Sequence, residues 1–186
     1  MIDSKPNKGL LLIAEPSLTG DISFARSVVL LADHNENGSV GFIMNKLLDF
    51  TLNDLLPEIH QKFKVYNGGP VEQDNLFFIH KIPHFIPGSI EIANGIYWGG
   101  DFKIIKNLIQ EQKISENEIK FFLGYSGWDG DQLQEEMAAN AWIIVQNEDK
   151  NELVGRSFSG FWKDKIKELG GEYLIWANAP DHPSYN

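Results

Sequence analysis

The segment SVVLLADHNENGSVGFIMNK, residues 27–46, constrains the fold more than any other part of the chain. It contains two short apolar runs rich in β-branched residues, Val28–Ala32 and Val40–Met44, separated by a polar loop. That loop ends in Asn37-Gly38, and an Asn-Gly pair readily adopts the positive φ angles of a tight hairpin turn. The segment therefore predicts a β-hairpin, so part of the core must be built on a sheet.

The same loop also matches the opening of a calcium-binding motif, the D-x-[DN]-x-[DN]-G pattern of an EF-hand. The matching residues are Asp33, Asn35, Asn37 and Gly38. An EF-hand also requires a bidentate Glu at loop position 12, which is Met44 here, and a helix on each side of the loop. Because both requirements fail, we interpret the segment as a hairpin and predict no metal site.

Length and composition indicate a single domain spanning residues 1–186, since single domains commonly reach roughly 200 residues. The sequence contains no Cys, which excludes disulfides, thiolate catalysis and Cys-ligated zinc or iron–sulfur clusters. The N-terminal apolar run Leu10–Ala14 is shorter than the ~7–15 residues of a signal-peptide core. No run approaches the ~20 apolar residues of a membrane span. These features predict a cytoplasmic protein that does not enter a membrane.

The charge balance bears on the kind of partner. The chain has 16 basic and 26 acidic residues, a formal net charge of −10. Affinity for DNA comes largely from neutralising phosphates, so this balance opposes direct nucleic-acid binding. We therefore expect a protein partner or a small ligand.

Periodicity and capping residues predict the remaining elements. Strands are predicted over Leu10–Ala14, Val28–Ala32, Val40–Met44, Phe63–Tyr66, Leu76–His80, Ile90–Ala93, Ile119–Leu123 and Trp142–Gln146. Helices are predicted after the capping residues Thr51, Asp101, Asp131 and Ser159, with Pro57 ending the first and Gly170-Gly171 the last. The irregular order of helices and strands, with adjacent hairpins, favours an α+β fold over a doubly wound sheet.

The segment GYSGWDGDQLQEE invites comparison with the G-x-S-x-G nucleophile elbow of hydrolases. Gly124-Tyr125-Ser126 begins that motif correctly, but Trp128 occupies its last position. The one histidine further along the chain, His182, lies in a Pro-flanked tail. We interpret the segment as a tight turn in which Trp128 anchors the core. The alternative is a small hydrolase or transferase that uses Ser126 or His34.

Two further features point to an anion, each with a structural alternative. Arg26 is predicted either to pair with Asp21 at the entrance of a strand or to anchor a carboxylate or phosphate, which a guanidinium binds bidentately. Gly68-Gly69 could present backbone N–H groups to an anion, although a phosphate loop would also need Lys and Ser or Thr.

Five separated segments, GLLLIAEPSL, FARSVVLLADH, GSVGFIMNK, VYNGGPV and GYSGWDGDQLQEEMAANAW, resemble the bacterial YqgE/AlgH family in order and spacing. The likeness runs from Gly9 to Asn186. It implies an α+β fold with a bent, bifurcated mixed β-sheet that forms a pseudo-barrel with several peripheral helices. It also implies a cytoplasmic location and a link to transcriptional regulation, with no agreed reaction or cofactor. One departure is that Gly130 comes one residue early, so Asp131 takes the family's glycine position.

The candidate ligand-binding residues are Arg26, His34, Asn45, Gly68, Gly69, Ser126, Trp128 and Gln132. All except Ser126 match the family motifs, and Ser126 comes from the comparison with the nucleophile elbow. Together these residues predict a non-enzymatic regulatory or binding domain, without cofactor or metal, that acts through a protein or small ligand. We also expect Gly68-Gly69-Pro70 and a Gly127-Trp128 turn to lie together and frame a surface cleft. Alternatively, both segments are turns that let the sheet curve.

The hairpin interpretation predicts that millimolar calcium leaves the melting temperature unchanged in differential scanning fluorimetry. A ligand that binds only the native state adds ~2.7 kcal/mol of stability at a hundredfold excess over its Kd. A reproducible shift that Asp33→Ala abolishes would contradict the prediction.

Overall fold

The computed structural model describes residues 5–18, 21–148, 153–156 and 160–179. Within them the strands are β1 (Leu11–Ala14), β2 (Val28–Asn35), β3 (Gly38–Ile43), β4 (Leu47–Thr51), β5 (Lys64–Asn67), β6 (Val71–His80), β7 (Ile90–Ala93), β8 (Ile96–Trp98), β9 (Ile119–Asp129) and β10 (Trp142–Val145). The helices are α1 (Leu52–Leu55), α2 (Phe102–Gln110), α3 (Gln132–Ala138), α4 (Phe161–Leu169) and α5 (Leu174–Ala177), with a 3-10 turn over Gly171–Tyr173.

All eight predicted strands are confirmed, whereas β4 and β8 were missed. β4 has no buried residue and β8 has only three residues, so neither carries a buried apolar run. The helix that begins after Thr51 has a full capping box, and Asp101 caps α2 by accepting from the Lys103 backbone N–H at 2.9 Å. Asp131 precedes α3 without a capping hydrogen bond from its side chain. Ser159 lies outside the described residues.

The predicted hairpin is confirmed, with one correction to its turn. β2 and β3 pair antiparallel as far as Asn35 and Gly38, so the two turn residues are Glu36 and Asn37. The turn is closed locally, because the Asn37 N–H donates to Asn35 Oδ1 at 2.9 Å. Gly38 begins the second strand with a φ of +145°.

The central strand of the sheet is β9, which pairs with other strands along both of its edges. Along one edge β6 runs antiparallel. The other edge is divided: β5 lies parallel to residues Phe121–Leu123, and β3 lies antiparallel to residues Ser126–Asp129. The sheet therefore forks at the middle of β9, between Leu123 and Ser126.

Gly68 occupies the fork. Its N–H donates to Leu123 O on β9 at 2.8 Å, and its carbonyl accepts from the N–H of Ile43, the last residue of β3, at 2.9 Å. The buried Ser126 hydroxyl donates to the same carbonyl at 3.0 Å. These bonds hold three parts of the sheet together at a single residue, where the chain leaves β5 and crosses to β6.

The α+β class and the bifurcated mixed sheet are confirmed, but the sheet is open. Its strand order is β10-β1-β2-β3-β9-β6-β8-β7, with β4 and β5 on the branch. The end strands β10 and β7 do not pair with each other in the described part of the chain, so the predicted pseudo-barrel is not a closed barrel. Closure would need β10 and β7, the two ends of this continuous ladder, to pair with each other.

Both faces of the β10-β1-β2-β3 half are covered, which explains why its strands are continuously apolar. Alternate residues such as Leu11 and Ile13 pack with Trp162 of α4, while Leu12 packs on the other face with Trp128 and Leu133. A third apolar cluster joins α1 and α2 to the opposite half of the sheet. The helices therefore lie outside a layered core.

The fork predicts that Gly69→Ala destabilises the protein by about 3 kcal/mol or more, measured by urea denaturation. A Cβ on Gly69 would lie 2.3 Å from Tyr125 C and 2.4 Å from Ser126 N, which are backbone atoms that cannot move independently. The matched control is Gly95→Ala, which also has positive φ but no atom within 4 Å of the added Cβ. It should cost about 1 kcal/mol, and equal losses in both variants would contradict the prediction.

Candidate functional site

Helix α3 and the β2–β3 hairpin together form the candidate site. The helix follows directly from the end of β9, and Leu133 is its fully buried anchor. It lies against Trp128, whose ring stacks on Phe24 and meets Trp142 edge-on at a centroid distance of 5.9 Å. Trp128 is 3% exposed, which confirms that it anchors the core.

Glu136 fixes α3 to this aromatic cluster. Its Oε2 accepts from Trp128 Nε1 at 2.9 Å and from Trp142 Nε1 at 2.7 Å, while Oε1 accepts from Gln132 Nε2 at 2.9 Å. Gln132 also accepts from the Asp129 N–H through Oε1 at 3.1 Å. One carboxylate thus satisfies two largely buried indole N–H groups, which would otherwise cost free energy.

A groove of about 550 Å³ lies beside this helix. It is lined by Lys5, Pro6, His34, Gln134, Met137 and Ala138. The N-terminal segment forms one side, α3 the other, and the end of β2 brings in the imidazole. The lining combines apolar side chains with three polar ones, which is the usual composition of a small-molecule site.

His34 is the one predicted candidate that lines this groove. Its Nδ1 lies 2.7 Å from the Ser39 hydroxyl across the hairpin, and its backbone N–H donates to Asp33 Oδ1 at 3.0 Å. These bonds fix the ring, and because Nδ1 is engaged, Nε2 is the nitrogen that can face a ligand.

Arg26 and Asn45 form a second group, at the entrance to β2. Asn45 donates through Nδ2 to Arg26 O at 2.9 Å and accepts from the Val28 N–H at 2.9 Å. Arg26 has a φ of +54°, so the amide braces an unusual backbone conformation. The guanidinium lies 5.2 Å from the Trp162 ring centroid and donates to Ala179 O at 3.5 Å. These contacts give both residues a structural role.

Gly68, Gly69 and Ser126 form the third group, at the fork. Ser126 is fully buried and its hydroxyl already donates to Gly68 O. A serine nucleophile requires a base within hydrogen-bond reach, and the bond that Ser126 makes is to a backbone carbonyl instead. This geometry gives no support to catalysis by Ser126.

The expected turn at Gly127-Trp128 is wrong, because β9 continues as a strand to Asp129. Gly68 and Gly69 do lie against β9, yet their contact is tightly packed and both are buried. The cleft of about 260 Å³ that Gly127 and Trp128 line is shared with the β2–β3 hairpin and with Tyr125. The two segments therefore adjoin without framing the predicted cleft.

Sequence reasoning missed two polar contributors, the half-buried Glu136 and the buried Lys120. Glu136 lies four residues after Gln132, the spacing that places two side chains on one helix face, and two tryptophans flank it in sequence. Lys120 interrupts an otherwise apolar strand, where a charged residue is unusual. Both signals are visible in the sequence, but the groups that Glu136 and Lys120 contact lie on other elements of the structure.

The described ranges contain no cluster of three or more His, Asp or Glu residues placed to hold a metal ion. Among these same residues, no helix is long and apolar enough to cross a bilayer.

The comparisons with known proteins agree with this architecture. A family model described as AlgH-like, DUF179, matches residues 11–174. A UPF0301 protein of Bacteroides fragilis is 43% identical, with 97% of this chain and 92% of that protein covered. A UPF0301 protein of Cytophaga hutchinsonii is 41% identical, covering 96% and 98%.

Two solved structures have the same fold. A crystal structure of a Corynebacterium diphtheriae protein matches with a TM-score of 0.75 at 22% identity, covering 96% of this chain and 95% of that one. The solution structure of the AlgH protein from Pseudomonas aeruginosa matches with a TM-score of 0.70 at 25% identity, covering 98% and 100%. The open, forked sheet thus defines an α+β domain of the AlgH type. The chain belongs to the AlgH-like, UPF0301 family, which confirms the resemblance seen in its sequence motifs.

The Glu136 contacts predict that Glu136→Ala lowers the free energy of unfolding by about 2 kcal/mol, because it leaves two indole N–H groups without their acceptor. Chemical denaturation followed by tryptophan fluorescence measures the loss. The control Glu135→Ala removes an exposed carboxylate from the same helix and should change stability by less than ~0.5 kcal/mol. Equal stability of the two variants would show that Glu136 does not hold the helix.

Proposed function

We propose that this chain is a cytoplasmic, non-enzymatic regulatory or binding domain, and that the groove between α3 and the hairpin takes a small organic ligand. The observation that carries the proposal is the groove itself, with His34 fixed in its wall by Ser39. Its volume of about 550 Å³ falls within the ~300–1,000 Å³ range of small-molecule sites.

The lining indicates the kind of ligand. Pro6, Met137 and Ala138 offer apolar contact, and Met adapts its shape to irregular partners. His34 and Gln134 offer hydrogen bonds, while Lys5 contributes a positive charge. A molecule with an apolar body and one anionic or hydrogen-bonding group would complement this arrangement.

The placement of the hydroxyl groups favours binding over catalysis. Ser126 is committed to the fork. Ser39 lies within hydrogen-bond distance of His34, but it is 5% exposed and paired within the sheet opposite Trp128. A nucleophile must reach its substrate, so the Ser39 hydroxyl is better suited to orienting the imidazole.

The regulatory part of the proposal rests on the family resemblance and on charge. The family's AlgH name is linked to transcriptional regulation, whereas the net charge of −10 disfavours contact with nucleic-acid phosphates. Regulation through a bound small molecule, or through a protein that senses the groove's occupancy, is compatible with both observations.

The proposal is tested with a variant whose new side chain fills the groove. Ala138→Trp places an indole at the groove lining, whereas Ala139→Trp adds the same side chain at the next position, which is exposed and does not line the groove. The probe is a protein-free small-molecule extract of the native cell, added to isotopically labelled protein. Backbone amide NMR shifts should change around His34 and Met137 in the wild type and in Ala139→Trp, and the change should be lost in Ala138→Trp.

Two outcomes would contradict the proposal. One is an extract that leaves the wild-type spectrum unchanged. The other is a set of shifts that persists in Ala138→Trp, since binding would then occur elsewhere. Thermal melts of both variants check that each remains folded.

A further inference from the structure

Lys120 is a buried lysine near the start of the central strand β9, at the opposite end of that strand from α3. It shares a face of β9 with Phe122, because side chains two positions apart in a strand point the same way. Its side chain is only 4% exposed. Its Nζ lies 3.7 Å from the Tyr66 ring centroid and donates to Arg156 O at 3.2 Å. The amine is thus held at a defined position.

A small cavity adjoins this amine. It has a volume of about 20 Å³ and is lined by Lys64, Tyr66, Glu116, Ile119, Lys120, Val154, Gly155 and Arg156. About 10–15 Å³ of such space accommodates one water molecule, so the cavity has room for about one water molecule beside the amine. Its ionisable wall contains three basic residues and one carboxylate, in a chain whose overall charge is strongly negative.

We propose that Lys120 is a nucleophilic lysine whose amine takes carbon dioxide reversibly in this cavity, forming a carbamate. The space beside the amine admits only a very small molecule, and carbon dioxide is among the smallest electrophiles. The basic residues Lys64 and Arg156 in its wall would neutralise the new carboxylate. Two acidic residues complete the charged surroundings: Glu116 lines the cavity, and Asp164 lies 3.7 Å from the Arg156 guanidinium. With the amine neutral, the formal charge of the four wall groups Lys64, Lys120, Arg156 and Glu116 changes from +1 to 0 on carbamate formation.

The reaction balances without an oxidant or a second substrate. The Nζ lone pair attacks the carbon of carbon dioxide, an N–C bond forms, and one C–O π pair moves onto oxygen. One N–H proton then leaves to solvent. The product is a carbamate anion, and the reverse steps regenerate the amine and carbon dioxide.

The protonation state of the amine is favourable for this chemistry. Burial lowers the pKa of Lys120 to about 7, with Glu116 raising it and Lys64 lowering it to smaller extents. An exposed lysine has a pKa near 10.4 and is almost wholly protonated at neutral pH. A desolvated lysine keeps a substantial neutral fraction there and is a better nucleophile.

Cyanate, a triatomic analogue of carbon dioxide that modifies amines irreversibly, tests the amine in the wild-type protein. Peptide mass spectrometry should show Lys120 modified about tenfold faster than the exposed Lys103 and Lys167 at pH 7. The ratio of Lys120 to Lys103 modification should rise as the pH falls from 9 to 7, because the lowered pKa of Lys120, about 7, keeps much of its amine neutral over this range. Modification of Lys120 no faster than that of Lys103 would overturn the proposal.

Carbon-13 NMR in labelled bicarbonate tests the carbamate itself. The wild type should give a carbamate signal that Lys120→Arg removes, since a guanidinium retains the charge without a reactive amine. The matched control is Lys165→Arg: Lys165 is also buried, but it pairs with Glu168 at 2.9 Å, and the signal should remain. A free α-amino group, with an ordinary pKa of about 8, also forms a carbamate in bicarbonate, so the Lys120 signal is the one that Lys120→Arg removes. If the wild type and Lys120→Arg give the same carbamate signals, the assignment is refuted. The cyanate measurement needs no variant, so it stands even if Lys120→Arg fails to fold.

Discussion

The structure depends on one place where three stretches of backbone meet, the fork at Gly68. Its N–H and carbonyl join β9 to the last residue of β3, and the Ser126 hydroxyl completes the arrangement. A Cβ on Gly124 would lie 2.6 Å from Gly69 O, so glycine is needed on both sides of the crossing. Because this crossing sends the chain from one edge of β9 to the other, it fixes which strands border each half of the sheet.

Because the sheet divides along β9, the α3 groove and the Lys120 cavity lie at opposite ends of that strand. Its C-terminal end leads into α3, where Glu136 ties the helix to two indoles and leaves a groove facing His34. Its N-terminal end carries Lys120 beside a water-sized cavity. In both places a polar group is buried against aromatic rings, and a specific partner from another element offsets the cost of its desolvation.

Most elements could be predicted because their signals are local. The Val28–Ala32 run, the Thr51 capping box and the Asp101 cap each depend on neighbouring residues, and all three were placed correctly. The strand β8 was missed because three residues give too little periodicity. The turn expected at Gly127-Trp128 was wrong because glycine there accommodates close packing against Val71 and Tyr125, and sequence alone does not separate that use of glycine from a turn.

By itself the sequence determined the α+β class, the hairpin, the family and the burial of Trp128, because these follow from apolar patterning, capping and recognisable motifs. Only the tertiary structure decided that Ser126 bonds to Gly68, that Glu136 accepts from two indoles, and that His34 alone among the candidates lines the groove. The physical reason is that the partners lie far apart in sequence or on different elements. A hydrogen bond or a desolvated amine is defined by such partners, and their positions exist only once the sheet has forked and folded.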